Sequence, residues 1–301
     1  MAKTQYGHLV KSISFSDRPG YYRQVASMNG EFLGFDVHME YGTYVAAGRM
    51  GTEPHGPRVN DYNEVMIWMG VDDPRDMGYL GAEVELCLGE EKERHMITTS
   101  TSVAIPRGFV HFPATIARVD KRFIFMTVSC APESKPKQVP SDRGPGELAR
   151  MSDSKYGSHI SHLAFTRNGP WHYGPNNQDT HDGAITFVKG KDFEFNMSYE
   201  SVRKAPYRFG PNPEHVHVHP SYFEFLLFMG MDCNDLSVLG AEVETTLGKE
   251  MEKHTFSTPT VVVVPEGFPH GRTTILKLDK PFIFAVVRPL SSGTTKDRAY
   301  L

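Results

Sequence analysis

Cysteine is scarce in this chain: three residues in 301, Cys87, Cys130 and Cys233, with no CxxC pair among them. An odd, scattered set does not build a disulfide framework and points to a reducing compartment. Charge of one sign is also missing. Lys and Arg total 32 against 36 Asp and Glu, a formal net charge of -4. That gives no basic footprint for nucleic acid and no like-charge run for an anionic membrane surface. No apolar stretch approaches the roughly 20 residues of a membrane span. The opening Met-Ala-Lys-Thr-Gln-Tyr has no apolar signal core. Long helical stripes are few. The expectation is a soluble, cytoplasmic protein that meets a small molecule rather than nucleic acid or membrane.

What the sequence does contain is itself, twice. MGVDDPRDMGYLGAEVELCLGEEKERH at 69–95 is answered by MGMDCNDLSVLGAEVETTLGKEMEKH at 229–254. IPRGFVH at Ile105–His111 matches VPEGFPH at Val264–His270, and VDKRFIF at Val119–Phe125 matches LDKPFIF at Leu278–Phe284. The offset is 160 from Gly70 to Gly230 and 159 from Leu80 to Leu239. So steady an offset marks a tandem duplication. Ala131–Lys155, rich in Pro, Ser, Gly and charge, reads as the linker. The expected domains are therefore 1–150 and 151–301.

Each half reads as strand after strand. PTVVVVPEG at Pro259–Gly267 and FEFLLFMG at Phe223–Gly230 are short apolar runs ended by glycine turns, the pattern of strands buried on both faces. An all-β chain of two closed or sandwiched barrels follows.

The chemistry gathers in HVHVHPSYFE, His215–Glu224, and in PEGFPH, Pro265–His270. Alternate side chains of a strand share a face, so His217 and His219 point together. Glu224 can return to that face after the Pro-Ser turn, and His270 can close the set from a third strand. Three imidazoles and a carboxylate suit a divalent transition metal: zinc, copper, iron or nickel by the imidazoles, with manganese and iron(II) kept open by the carboxylate. His215 shares their alternation, as a further group at the mouth, a partner orienting a ligand, or a residue at the strand's beginning.

HxHx₄E followed by PxGxxH resembles the two motifs of the cupin superfamily, and the duplication resembles a bicupin. The resemblance implies two tandem cupin-type jelly-roll barrels, with His217, His219, Glu224 and His270 as metal ligands in the second. Thr258-Pro259 replaces the glycine-acid turn usual before the second motif. In the first half Glu64 answers Glu224, His111 answers His270 and His55 answers His215, while Pro57 and Val59 fall where His217 and His219 stand. Neither proline nor valine binds a metal, so the first motif is degenerate. A weaker site of His55, Glu64 and His111 is the alternative to a structural barrel.

Arg272, two beyond His270, is a candidate clamp for a substrate carboxylate or else a solvated residue on a bulged strand. Tyr222 is a candidate general acid or a packing residue. The pairs Glu83/Glu85 and Glu242/Glu244, and the matched His95 and His254, read as structure because both halves carry them. The Gly-, Asn- and Pro-rich stretch at 166–183 is a candidate lid or dimer arm.

These residues and the resemblance together imply a metal-dependent enzyme acting on a small organic substrate, carboxylate or aromatic. One divalent transition metal is expected per chain, iron(II) favoured, with manganese, zinc or nickel as alternatives. An iron(II) dioxygenase leads. A manganese or zinc lyase, isomerase or hydrolase and a non-enzymatic ligand-binding bicupin are the rivals, and a homodimer is expected.

Overall fold

The computed structural model describes residues 4–17, 22–51, 55–141, 144–150, 153–165, 185–209 and 216–289. His215 and the stretch 166–183 lie outside them. The all-β expectation holds: the one α-helix among the described residues is the short Gly30–Leu33. No described helix is long and apolar enough to cross a membrane.

The chain divides into two compact units. The first comprises Phe15–Ala164 with Val188–Phe193, the second Met1–Ser14 with Phe165–Phe187 and Glu194–Leu301. The bulk of each is one half of the duplication, but a single cut at residue 150 does not follow them. Val10–Ser12 pairs with Thr260–Val264 inside the second unit, and Ile160–His162 pairs with Thr101–Ile105 inside the first.

The first unit has a seven-stranded sheet in the order Ile160–His162, Thr101–Ile105, Glu64–Gly70, Phe123–Ser129, His38–Tyr44, Tyr22–Met28, Phe15–Ser16. Its second sheet runs Lys137–Gln138, Arg58–Val59, His111–Val119, Tyr79–Leu88, Glu93–Thr99. Met66, Trp68, Phe123 and Phe125 of one sheet meet Leu86, Leu88, Ala114 and Ile116 of the other in one buried cluster. Full burial of each Leu-, Ile-, Met- or Phe-sized side chain contributes roughly 1.5–3 kcal/mol.

The second unit repeats the plan. One sheet runs Val10–Ser12, Thr260–Val264, Glu224–Gly230, Phe282–Pro289, Phe195–Val202, and ends on the strand Ile185–Lys189, of which residues 185–187 belong to this unit; the other runs Tyr207–Arg208, His270–Leu278, Ala241–Leu247, Glu252–Phe256, with Val216–His217 also paired to His270–Leu278. Phe228 anchors its core against Phe256, Phe282 and Phe284. Glu64–Gly70 and Glu224–Gly230 are buried at every residue, which is why they read as unbroken apolar runs.

The repeated acidic and histidine positions are structural. Glu83 pairs with Arg118, Glu85 with Arg94, and Glu244 with Lys253, all across neighbouring strands. His95 and His254 hold Glu93 and Glu252, at 3.0 and 2.8 Å. Those carboxylates in turn accept the backbone N–H groups of docked segments: Gln5 and Tyr6 on Glu252, Lys155 and Tyr156 on Glu93. The Tyr6 and Tyr156 rings lie over Gly248 and Gly89, where a Cβ would meet either ring at 2.2 Å.

Candidate metal centre

The Val216–His217 strand sets His217 opposite His270, in register with Val216 opposite Gly271. Two residues on, the His219 carbonyl accepts the Gly267 N–H at 2.8 Å, which ties the chain to the Pro265–Phe268 turn. Glu224 begins the buried Glu224–Gly230 strand. The sequence-predicted quartet is thus brought together: one donor atom from each of His217, His219, Glu224 and His270 lies within 4.8 Å of all the others. Bonds near roughly 2.0–2.2 Å to one ion would place donors about 3–4.4 Å apart, so the cluster fits a single ion after a small contraction. Among the described residues it is the one such cluster of three or more His, Cys, Asp or Glu.

Hydrogen bonding supplies a further test of that fit. His270 Nδ1 lies 3.0 Å from the Phe268 carbonyl, which can only accept, so Nδ1 carries a proton. Its Nε2 then faces a Glu224 oxygen at 2.8 Å, both residues 2% exposed. A ring nitrogen and a carboxylate oxygen that close share a positive charge, either a proton on the imidazole or a metal ion between them. His219 lies 3.6 Å from the same oxygen. Burial opposes the charge on Glu224, yet the bond to His270 and the positive groups of Arg288, His270 and His219 outweigh it and hold the carboxyl below its ordinary range. The carboxylate is therefore ionised, as a ligand must be.

Arg288 is the residue that sequence reasoning missed. Its Nε donates to the second Glu224 oxygen at 2.8 Å and its guanidinium stands 5.4 Å from the centre of the Tyr222 ring. The available signal was an arginine closing the otherwise apolar run FIFAVVRP. Tyr222 lies against His219, ring stacked at 4.6 Å and hydroxyl 2.7 Å from Nδ1. That bond fixes the ring so that Nε2 faces the cluster. Arg272 sits at a bulge. Glu244 pairs with Thr274 and Thr246 with Gly271, and Arg272 has φ 49. The alternation that would carry it to the face of His270 is broken there.

In the first unit the register corrects the sequence alignment. Arg58, not Pro57, lies opposite His111. The Asn60 carbonyl, not that of Val59, accepts the turn N–H, here from Gly108 at 2.9 Å. Arg58, Asn60, Glu64 and His111 therefore hold the positions of His217, His219, Glu224 and His270. The reason is one residue of loop: six positions separate Arg58 from Glu64 and seven separate His217 from Glu224. Arg58 Nε approaches His111 Nε2 at 3.3 Å while His111 Nδ1 faces the Phe109 carbonyl at 3.0 Å, so this imidazole is neutral and its outer nitrogen already has a donor. His55 is half-buried and forms no metal-type cluster with Glu64 and His111.

No family model and no curated protein matches the sequence. Solved structures match the fold. An oxalate decarboxylase structure on substrate binding and reaction specificity aligns over 95% of this chain and 78% of its own, with a TM-score of 0.59 at 10% identity. A formate complex of the Lactobacillus farciminis oxalate decarboxylase aligns over 93% and 86%, with TM-score 0.57 and 12% identity. A deletion mutant of the Bacillus subtilis oxalate decarboxylase aligns over 93% and 76%, also with TM-score 0.57 and 12% identity. The fold is two tandem cupin-type barrels, as the motif resemblance implied.

Proposed function

We propose that the chain is a metal-dependent enzyme acting on a small carboxylate, with its single metal held by His217, His219, Glu224 and His270. The observation that carries this reading is the His270–Glu224 approach of 2.8 Å inside a four-donor cluster. The fold shared with oxalate decarboxylases supports a carboxylate substrate by analogy alone. It adds nothing for the iron(II) dioxygenase, which stays as an outcome of the test, and manganese, iron, zinc or nickel all suit the donors.

The metal, when bound, supplies Lewis-acid polarisation of a carboxylate oxygen. The chain's own groups do the rest. Glu224 stays ionised and offers one oxygen to the donor cluster while Arg288 holds the other. Tyr222 fixes the His219 ring and is a positioning residue rather than a free acid. Arg288, with 27% of its side chain exposed, is a cationic group in direct contact with Glu224, which is 2% exposed. It takes the orienting role for an anionic substrate, with Arg272 as the second candidate.

Reconstitution with manganese, iron(II) and zinc separately, against a panel of small mono- and dicarboxylates, tests the reading. Carbon dioxide release and oxygen consumption are followed together. Metal-dependent turnover without net oxygen consumption is expected. Stoichiometric oxygen consumption would restore the dioxygenase, and metal binding without turnover would leave a ligand-binding bicupin.

A further inference from the structure

We infer that the first unit is a metal-free receptor for a small hydroxycarboxylate, built on Arg58 and Asn60 at the positions that are metal-ligand candidates in the second. The geometry has three parts. Arg58 Nε is engaged by His111 at 3.3 Å, and the guanidinium lies 3.7 Å over the centre of the Phe112 ring. The cation is therefore oriented from one edge and one face. Its two terminal nitrogens have no hydrogen-bond partner among the described residues, and the side chain is only half-buried. A planar fork with both outer nitrogens available is the shape that takes a carboxylate bidentately.

Asn60 is the second, independent observation. It is 2% exposed, its Nδ2 donates to Glu64 Oε2 at 3.1 Å, and its Oδ1 is buried with no partner among the described residues. An orphaned buried acceptor calls for a donor. Arg58 and Asn60 belong to one connected group, since Glu64 Oε2, the acceptor of the Asn60 amide, lies 3.7 Å from the His111 nitrogen that Arg58 engages. A ligand that places a carboxylate on Arg58 and a hydroxyl toward Asn60 Oδ1 satisfies both. Glu64 does not repel it strongly. Burial raises its carboxyl above the ordinary range despite Arg58, and Ser129 and Asn60 already hold its two oxygens. A metal ion has no place here, because the guanidinium lies against the outer nitrogen of His111 and an amide replaces the second imidazole.

The test uses the full chain treated with chelator, so that the second unit's metal contributes nothing and failure of the metal reading is a separate result. Glycolate and acetate are titrated calorimetrically. Glycolate is expected to bind once per chain, several-fold more tightly than acetate. Arg58→Gln abolishes it, Arg58→Lys weakens it about tenfold by losing the fork, and Asn60→Leu removes the preference over acetate. Unchanged circular dichroism establishes that each variant is folded, and Arg58→Lys carries the test if Arg58→Gln is not. The inference is overturned by the absence of heat at millimolar ligand, or by glycolate binding that survives Arg58→Gln. It is equally overturned if zinc titration of the untreated chain finds a second ion lost in His111→Ala.

Discussion

Arg58 and His217 occupy the same register position in the two repeats: Arg58 lies opposite His111, and His217 lies opposite His270. In one barrel the histidine's outer nitrogen meets a fixed guanidinium, in the other a buried carboxylate at 2.8 Å. Each barrel thus gathers positive charge at the same point of its fold, supplied by the chain in the first and by a proton or metal in the second. Duplication preserved the carboxylate and the second-motif histidine, and the two residues ahead of the carboxylate differ: Arg58 and Asn60 against His217 and His219.

Metal content follows directly from that difference. The intact protein is expected to bind one divalent ion per chain, by elemental analysis after dialysis against zinc or manganese. His217→Ala removes one of four donors and should weaken binding by at least tenfold. His111→Ala should leave the count at one. Two ions per chain, with one lost on changing His111, would contradict the register argument.

The Arg288–Glu224 pair predicts a stability effect that depends on metal. Removing one partner of a buried ion pair leaves the other charge uncompensated, typically a cost of about 3–5 kcal/mol. Arg288 is partly exposed, so the lower part of that range is expected for Arg288→Met. A bound ion would compensate Glu224 in its place. Thermal melts should therefore show a large drop for the chelated variant and a smaller one for the loaded variant. Equal drops in both states would separate Arg288 from the metal cluster.

The sequence was informative where residue identity alone decides. Repeated LGAEVE strings, glycine turns and β-branched runs such as Thr260–Val264 foretold two all-β barrels, and HxHx₄E with PxGxxH foretold the quartet. It was silent where one residue of slack moves a register. Nothing in PHGPRVNDYNE reveals that Arg58 and Asn60, rather than Pro57 and Val59, face the second-motif histidine. Nor does alternation survive the bulge at Arg272, whose left-handed backbone is set by strand pairing. Arg288 was missed because its partner lies 64 residues away and only the sheet brings them together.

Docking of the first residues onto the second unit predicts a strong effect at a distant glycine. Gly248 has φ 77, and a Cβ there would lie 2.2 Å from the Tyr6 ring. Gly248→Ala combines left-handed backbone strain with displacement of that ring, together about 1–3 kcal/mol. Hydrogen exchange should rise at the paired residues Val10–Ser12 and Thr260–Val262. Tyr6→Ala in the same chain should relieve the steric part and leave the backbone part. Exchange that rises uniformly over the whole chain would mean global destabilisation, not loss of this docked segment.

A pH effect is expected from His111. Burial, with Arg58 adding to it, pushes its imidazole down to about 3. The folded state therefore keeps this ring neutral through a range in which the unfolded chain, with an ordinary value near about 6.5, takes up a proton. Stability from this group is complete above that value and is lost as pH falls toward about 3, at no more than about 1.4 kcal/mol per pH unit. Glu64 acts in the opposite sense, because burial raises its carboxyl and the folded state holds the proton more readily than the unfolded chain. The contribution of His111 is isolated by comparison with His111→Gln, which keeps an acceptor for Arg58 and cannot titrate. Between pH 6 and pH 4 the denaturation midpoint of the parent chain should fall more steeply than that of the variant. Parallel curves would mean that the imidazole is protonated in the fold, and that the Arg58 contact is not the one that holds it.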